Sequence, residues 1–289
     1  MREFVITTES NSDLPASYIA ENQITIIPHY YTVEEEVYGD GRELTCKEFY
    51  DEMRNLKKVG TMASNPAVIG EKFSAHAKAG KDILHISFSS ALSGGYGNVC
   101  LTAGQVMEEY PNTKIVVIDT LSASLGEGIL IMKAVEMKKQ GKTLEETVQA
   151  VEELIPHLAI LFTVDDLNYL YRGGRLSKTS AIVGTLVNLK PILRVNEEGR
   201  LVALAKTRGR NKSLQSMADL MGERLGEYRD KQLVIGIIHG DCEKDALYLK
   251  KLIEEKYGYH DFLIQPIGPS IGAHSGPGTV GLIFLADHR

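Results

Sequence analysis

Two hydrophobic periodicities alternate along the first half of the chain. Short apolar and β-branched runs predict buried strands at 4–7, 24–28, 29–33, 83–88 and 114–119. Between them apolar residues recur at helical spacing, as in 99–107. Strands that alternate with helices predict an α/β domain with a largely parallel sheet.

Local signals predict where three of these helices begin. Thr45 and Thr143 each precede a glutamate by three residues, which is the spacing of a capping box. Asn65 followed by Pro66 predicts an N-cap and a first helical residue.

The second half has a different pattern. Apolar runs at 191–195 and 201–205 flank the turn sequence 196–199, which predicts a hairpin. Helices are expected at 165–170, 181–189, 211–228 and 243–257, with further strands at 157–163, 233–238, 262–267 and 281–286. A hairpin beside strand–helix–strand units predicts a mixed sheet. We therefore expect two α/β domains, residues 1–160 and residues 161–289.

The segment 82–98, DILHISFSSALSGGYGN, joins a strand to a helix through serines and glycines. A helix N-terminus has unpaired N–H groups and a positive dipole end, so this arrangement favours an anion beside Ser93 and Gly94. The same loop also fits a plain connection without a ligand. Similar hydroxyl-rich loops follow the strands before Ser10 and Ser122, and parallel topology predicts that the three loops meet at one edge of the sheet.

A lone histidine stands in a segment rich in glycine and proline, 268–278. We expect a constrained, exposed loop here, because many of its residues have restricted or unusual backbone conformations. His274 is either structural or part of a site.

Composition limits the classes of partner, metal site and cellular location that the protein can have. The 289 residues carry a formal charge of −6 at pH 7, which argues against nucleic acid as a partner. Cys46, Cys100 and Cys242 are widely spaced and form neither a metal motif nor an even disulfide set. No signal peptide or membrane-spanning stretch is apparent in the sequence, so a cytoplasmic location is expected.

Six motifs, taken in order, resemble those of the DegV family of bacterial fatty-acid-binding proteins. They are ESNSDLP at 9–15, TMASNP at 61–66, LSGGY at 92–96, DTLSASLGEG at 119–128, DLNYLYRGGR at 166–175 and GAHSGPG at 272–278. Each motif by itself is weak evidence for the family, but six motifs in the same order along the chain are strong evidence.

The resemblance implies a two-domain α/β protein that holds one long-chain fatty acid between its domains. By this resemblance Thr61, Ser93 and Gly94 would contact the carboxylate, with His274 beside it. The acid would be presented to a separate fatty acid kinase that makes the acyl phosphate.

The expected protein is a carrier, not an enzyme, and needs neither cofactor nor metal. Transient membrane contact is left open. Arg172, Arg175 and Arg208 are candidate contacts for the partner or for a phosphate, because neutral hydroxyls cannot neutralise the added charge. Solvated surface arginines are the alternative for each of the three.

Two enzymatic alternatives also fit part of the sequence. A serine hydrolase would use Ser93 and His274 with Asp119, although the chain has no G-x-S-x-G elbow. A nucleotide-binding enzyme has less support, since the chain has neither a G-x-G-x-x-G after the first strand nor a Walker-type loop.

Overall fold

The structure, a computed structural model, describes residues 2–176 and 189–289. Its strands are β1 (Phe4–Glu9), β2 (Thr25–Ile27), β3 (Tyr30–Val33), β4 (Glu36–Tyr38), β5 (Val59–Met62), β6 (Asp82–Ser87), β7 (Ile115–Asp119), β8 (Leu158–Thr163), β9 (Leu189–Val195), β10 (Leu201–Arg208), β11 (Ile235–His239), β12 (Phe262–Pro266) and β13 (Val280–Leu285). Its helices are α1 (Ala16–Glu21), α2 (Cys46–Arg54), α3 (Pro66–Lys78), α4 (Gly95–Glu109), α5 (Leu125–Lys139), α6 (Leu144–Leu154), α7 (Asn168–Arg172), α8 (Arg210–Arg224), α9 (Glu243–Tyr257) and α10 (Pro269–Ser275).

The first sheet has four parallel strands in the order β2-β1-β6-β7. Alternate residues of β1 and β6 point to opposite faces. Val5 and Ile83 pack with α3 and α4, whereas Ile6 and Leu84 pack in a second core that includes α5. Both faces of the sheet are therefore buried, which explains the continuous apolar runs in the sequence.

The second sheet has six strands in the order β10-β9-β8-β13-β11-β12, and only β11 and β12 are parallel. Helices α8 and α9 cover one of its faces, and α5 packs against β8 and β11. One parallel and one mixed sheet confirm the expected α/β fold class. The domain division stays a prediction, and β8, which pairs within the second sheet, crosses residue 160.

A small antiparallel sheet, β4-β3-β5, was not expected as a unit, because β5 is short and contains only one β-branched apolar residue. Tyr31 and Val33 of β3 pack on Phe49 and Tyr50 of α2 and on Ala273 of α10. This core joins the N-terminal half of the chain to the C-terminal half.

The exposed loop expected at 268–278 is wrong in two respects, since residues Pro269–Ser275 form a helix and no residue of the segment is exposed. Pro269 occupies its first turn, a position that proline tolerates well. The predicted hairpin at 196–199 and both capping boxes are confirmed. Of the helix expected at 181–189, positions 181–188 lie outside the described residues, and Leu189 begins β9.

Candidate functional site

A cavity lies between the first and second sheets, and we call it the inter-sheet cavity. Its volume of about 190 Å³ is more than ten times the ~15 Å³ that one water needs. Much of its lining is apolar and comes from both halves of the chain: Phe88, Leu92, Ile160, Phe162, Val195 and Ile238. Such a lining suits an elongated hydrophobic ligand.

The three hydroxyl-rich loops of the first sheet reach this cavity, as the topology predicted. Their lining residues are Asn11, Ser93 and Ser124. Ser10 and Ser122 have structural roles, because Ser10 accepts a hydrogen bond from the His29 amide and Ser122 accepts one from Arg289.

Thr61 and His274 meet at one part of the cavity wall. Thr61 lies in β5, His274 lies in α10, and the Thr61 Oγ1 to His274 Nε2 distance is 2.8 Å. Burial lowers the pKa of His274 to about 4, with Arg175 and His29 acting in the same direction. The imidazole is therefore neutral near pH 7.

Ser93 and Gly94 form the entry to α4. The Ser93 hydroxyl accepts a hydrogen bond from the Gly95 amide at 3.1 Å, so it sits beside the first turn of the helix. Gly94 at the N-cap offers no side-chain capping bond. Ser93 and Gly94 line the cavity, so the N-terminal end of α4 borders it, and the predicted anion site stays a prediction.

Of the three candidate arginines, the structure brings only Arg175 to the cavity. Its Nε donates to the Leu92 carbonyl at 3.0 Å, which fixes the guanidinium next to Ser93. Burial lowers the pKa of Arg175, yet arginine stays charged in proteins.

The other two arginines do not line the cavity. Arg172 is exposed, and its guanidinium lies 4.9 Å from the centre of the Tyr169 ring. Arg208 is exposed at the end of β10.

His29 is a cavity residue that sequence reasoning missed. It follows β2 in the turn to β3, and its side chain is only 8% exposed. A signal was present, because a polar residue after an apolar strand of a parallel sheet belongs to the same edge as the serine loops. We call Thr61, Ser93, Arg175, His274 and His29 the polar cluster.

The structure does not assemble the hydrolase triad. Asp119 accepts hydrogen bonds from the amides of Ser90 and Leu121, and His274 is bonded to Thr61. Within the described part of the chain, no hydrogen bond joins Ser93 to His274 or His274 to Asp119. The nucleophile–base contact that defines such a site is therefore missing here.

Residues 2–176 and 189–289 contain neither a metal-binding cluster nor a membrane-spanning helix. In that range no group of three or more His, Cys, Asp or Glu residues is placed to hold a metal ion. In the same range no helix has the length and apolar character needed to cross a membrane.

Comparison with known proteins decides the family. The model of the DegV family, described as uncharacterised, matches residues 3–287. The chain belongs to the DegV family. A DegV domain-containing protein of Clostridium perfringens (strain 13 / Type A) is 39% identical, covering 100% of this chain and 99% of that protein. Another, from Lactococcus lactis subsp. lactis (strain IL1403), is 35% identical and covers 98% of each chain.

Solved DegV structures share this fold. A DegV family protein from Thermus thermophilus, described by its fatty acid binding, has a TM-score of 0.87 at 27% identity, covering 99% of this chain and 100% of that one. DegV of Bacillus subtilis, described as a fatty acid binding protein, has a TM-score of 0.85 at 26% identity with the same coverage. The motif resemblance is confirmed.

Proposed function

We propose that this protein binds one long-chain fatty acid in the inter-sheet cavity. The observation that carries the proposal is the joining, in one cavity, of an apolar lining from both sheets with the polar cluster at the start of α4. The two solved DegV structures named above, from Thermus thermophilus and Bacillus subtilis, are fatty acid binders by description, which supports the same ligand class here.

The acyl chain supplies most of the affinity on this proposal. At ~0.8 kcal/mol for each buried methylene, about fourteen methylenes contribute roughly 11 kcal/mol. Association costs of at least ~4 kcal/mol reduce that sum. The carboxylate is held by the hydroxyls of Thr61 and Ser93, with Gly94 and His274 beside it.

The bound acid is then presented to a separate fatty acid kinase, which forms the acyl phosphate. Arg175 supports this second step, because it places one cation beside the hydroxyls that would hold the head group. A transferred phosphoryl group adds negative charge, and arginine pairs well with phosphate oxygens. A carrier role also agrees with the missing contact between Ser93 and His274.

The test begins with native mass spectrometry of the purified protein, in which a fatty acid should copurify. Delipidated protein is then titrated with palmitate and with oleate by calorimetry, and saturation is expected near one equivalent. Absence of binding to every long-chain acid would overturn the proposal.

The role of the hydroxyls is tested with a matched pair of serines from one loop. A hydrogen bond to a charged group contributes about 1.5–3 kcal/mol, so Ser93→Ala should weaken palmitate binding about tenfold or more. Ser90 is exposed and does not line the cavity, so Ser90→Ala should bind as the unaltered protein does. Equal affinities of the two variants would contradict the assignment of Ser93.

A further inference from the structure

His29 has an unusual hydrogen-bonding state for a buried side chain. It is 8% exposed, and neither ring nitrogen has a hydrogen-bond partner among residues 2–176 and 189–289. Leaving a buried polar group unsatisfied costs about 1–3 kcal/mol, so most such groups in native proteins are paired. The ring lines the inter-sheet cavity, where a partner can come from a ligand.

The position of the ring relates it to Ser93 and to the start of α4. A Cβ atom built on Gly95 would lie 3.6 Å from His29 Nε2 and 3.4 Å from Ser93 Oγ. Both polar atoms thus border the same small space at the first turn of the helix. The N–H groups of a first turn have no partners within their own helix. The Gly95 amide of this turn already donates to Ser93 Oγ, so an oxygen atom placed there meets the imidazole and the hydroxyl near the positive end of the helix.

The backbone of His29 is anchored beside the cavity, and its ring has a hydrogen-bond donor to offer. Its backbone amide donates to Ser10 Oγ at 2.9 Å, and its ring centroid lies 6.3 Å from that of Phe88. Burial lowers the pKa of His29, against the attraction of Glu9, so the neutral ring carries one N–H donor.

Resting on the fatty acid function proposed above, we propose that His29 Nε2–H donates a hydrogen bond to one carboxylate oxygen of the bound acid. Ser93 shares that oxygen, and the other oxygen lies toward the Thr61–His274 pair. His29 is thereby a specificity residue. A carboxylate has two oxygens and reaches both sides of the polar cluster, whereas an alcohol of the same chain length has one.

The experiment compares palmitoleic acid with palmitoleyl alcohol on delipidated protein by calorimetry. His29→Phe keeps an aromatic ring of similar size but removes both nitrogens. It should lower the affinity for the acid about tenfold and leave that for the alcohol within about threefold. His29→Gln restores an N–H donor and should recover part of the preference for the acid. His260→Phe, at an exposed histidine far from the cavity lining, should match the unaltered protein.

If the ratio of acid affinity to alcohol affinity is the same in His29→Phe as in the unaltered protein, the proposed role of His29 is wrong, while the fatty acid function stands. Failure of the unaltered protein to bind either lipid would overturn the fatty acid function as well. A second readout uses the ring ¹⁵N spectrum of the unaltered protein, in which the His29 signal is assigned from its loss in the spectrum of His29→Gln. Palmitoleic acid should shift that signal, and an unchanged signal at saturation would also contradict the proposal.

Discussion

Asp13 links the first sheet to the helix that carries His274. Its carboxyl accepts hydrogen bonds from the Ser124 hydroxyl and, at 3.0 Å, from the Gly268 amide just before α10. Burial raises the pKa of Asp13 to about 7, despite both hydrogen bonds. Burial and the nearby Glu9 also raise the pKa of Glu127 far above its ordinary value. In the fold the Asp13 carboxyl therefore keeps its proton up to about pH 7.

The raised pKa of Asp13 makes the free energy of unfolding depend on pH, because aspartate in the unfolded chain ionises near pH 4. Between about pH 4 and pH 7 the unfolded state releases a proton that folded Asp13 retains, so the contribution of Asp13 to the free energy of unfolding falls as pH rises. His274, with its pKa lowered to about 4, contributes in the opposite direction below about pH 6.5. Asp13→Asn mimics the protonated carboxyl and should remove the Asp13 contribution, measured as the difference in slope from the unaltered protein by urea unfolding at pH 5, 6, 7 and 8. Glu127 should leave part of the slope in place.

The matched control is Asp261→Asn, because Asp261 is exposed. We expect it to keep the slope of the unaltered protein. A steep slope retained by Asp13→Asn would show that Asp13 ionises normally in the fold.

At the scale of elements, the sequence predicted helices that begin with a local capping signal, but it did not predict a helix that depends on tertiary packing. The capping boxes at Thr45 and Thr143 act within one turn, so the sequence alone could place them. Helix α10 could not be predicted, because glycine and proline have low helix propensity and its stability comes from packing. Ala273 lies in the core formed by Tyr31, Phe49 and Tyr50, which are remote in sequence.

Close packing leaves no free space for a side chain at Gly272 in α10. A Cβ built there would lie 2.6 Å from the Tyr50 hydroxyl and 3.2 Å from the Phe49 ring. Tyr50 is fully buried and its hydroxyl donates to the Ile267 carbonyl, so it cannot easily move. Gly272→Ala should destabilise the protein by about 1–3 kcal/mol and displace His274 from Thr61, which would also weaken palmitate binding.

Gly104 provides the control, since it lies within α4 with no atom near its Cβ position. Gly104→Ala should be neutral or stabilise the helix by up to about 1 kcal/mol. Thermal unfolding and calorimetry on both variants check the prediction. A Gly272→Ala protein that melts and binds like the unaltered one would mean that α10 has room to shift.

At the scale of the whole molecule, parallel topology explains how much of the site could be foreseen. Ser93 and the neighbouring serine loops end adjacent strands of one sheet, so their meeting follows from strand order. Arg175 enters the cavity from the other half of the chain, and only the packing of one sheet against the other brings it to Leu92. Nothing in the sequence favoured one of the three candidate arginines over the others. In the fold, Arg175 lines the cavity, whereas Arg172 and Arg208 do not.

Arg208 is the candidate for contact with the kinase, because its side chain is exposed at the end of β10 and makes no ion pair in the described part of the chain. A surface cation there can attract an acidic partner without touching the acyl chain. Arg208→Ala should therefore leave palmitate affinity within about twofold and lower acyl phosphate formation severalfold, assayed with purified fatty acid kinase and ATP. Arg200→Ala removes another exposed arginine of the same hairpin and should change neither quantity. Parallel losses of binding and phosphorylation in Arg208→Ala would instead place its role at the ligand.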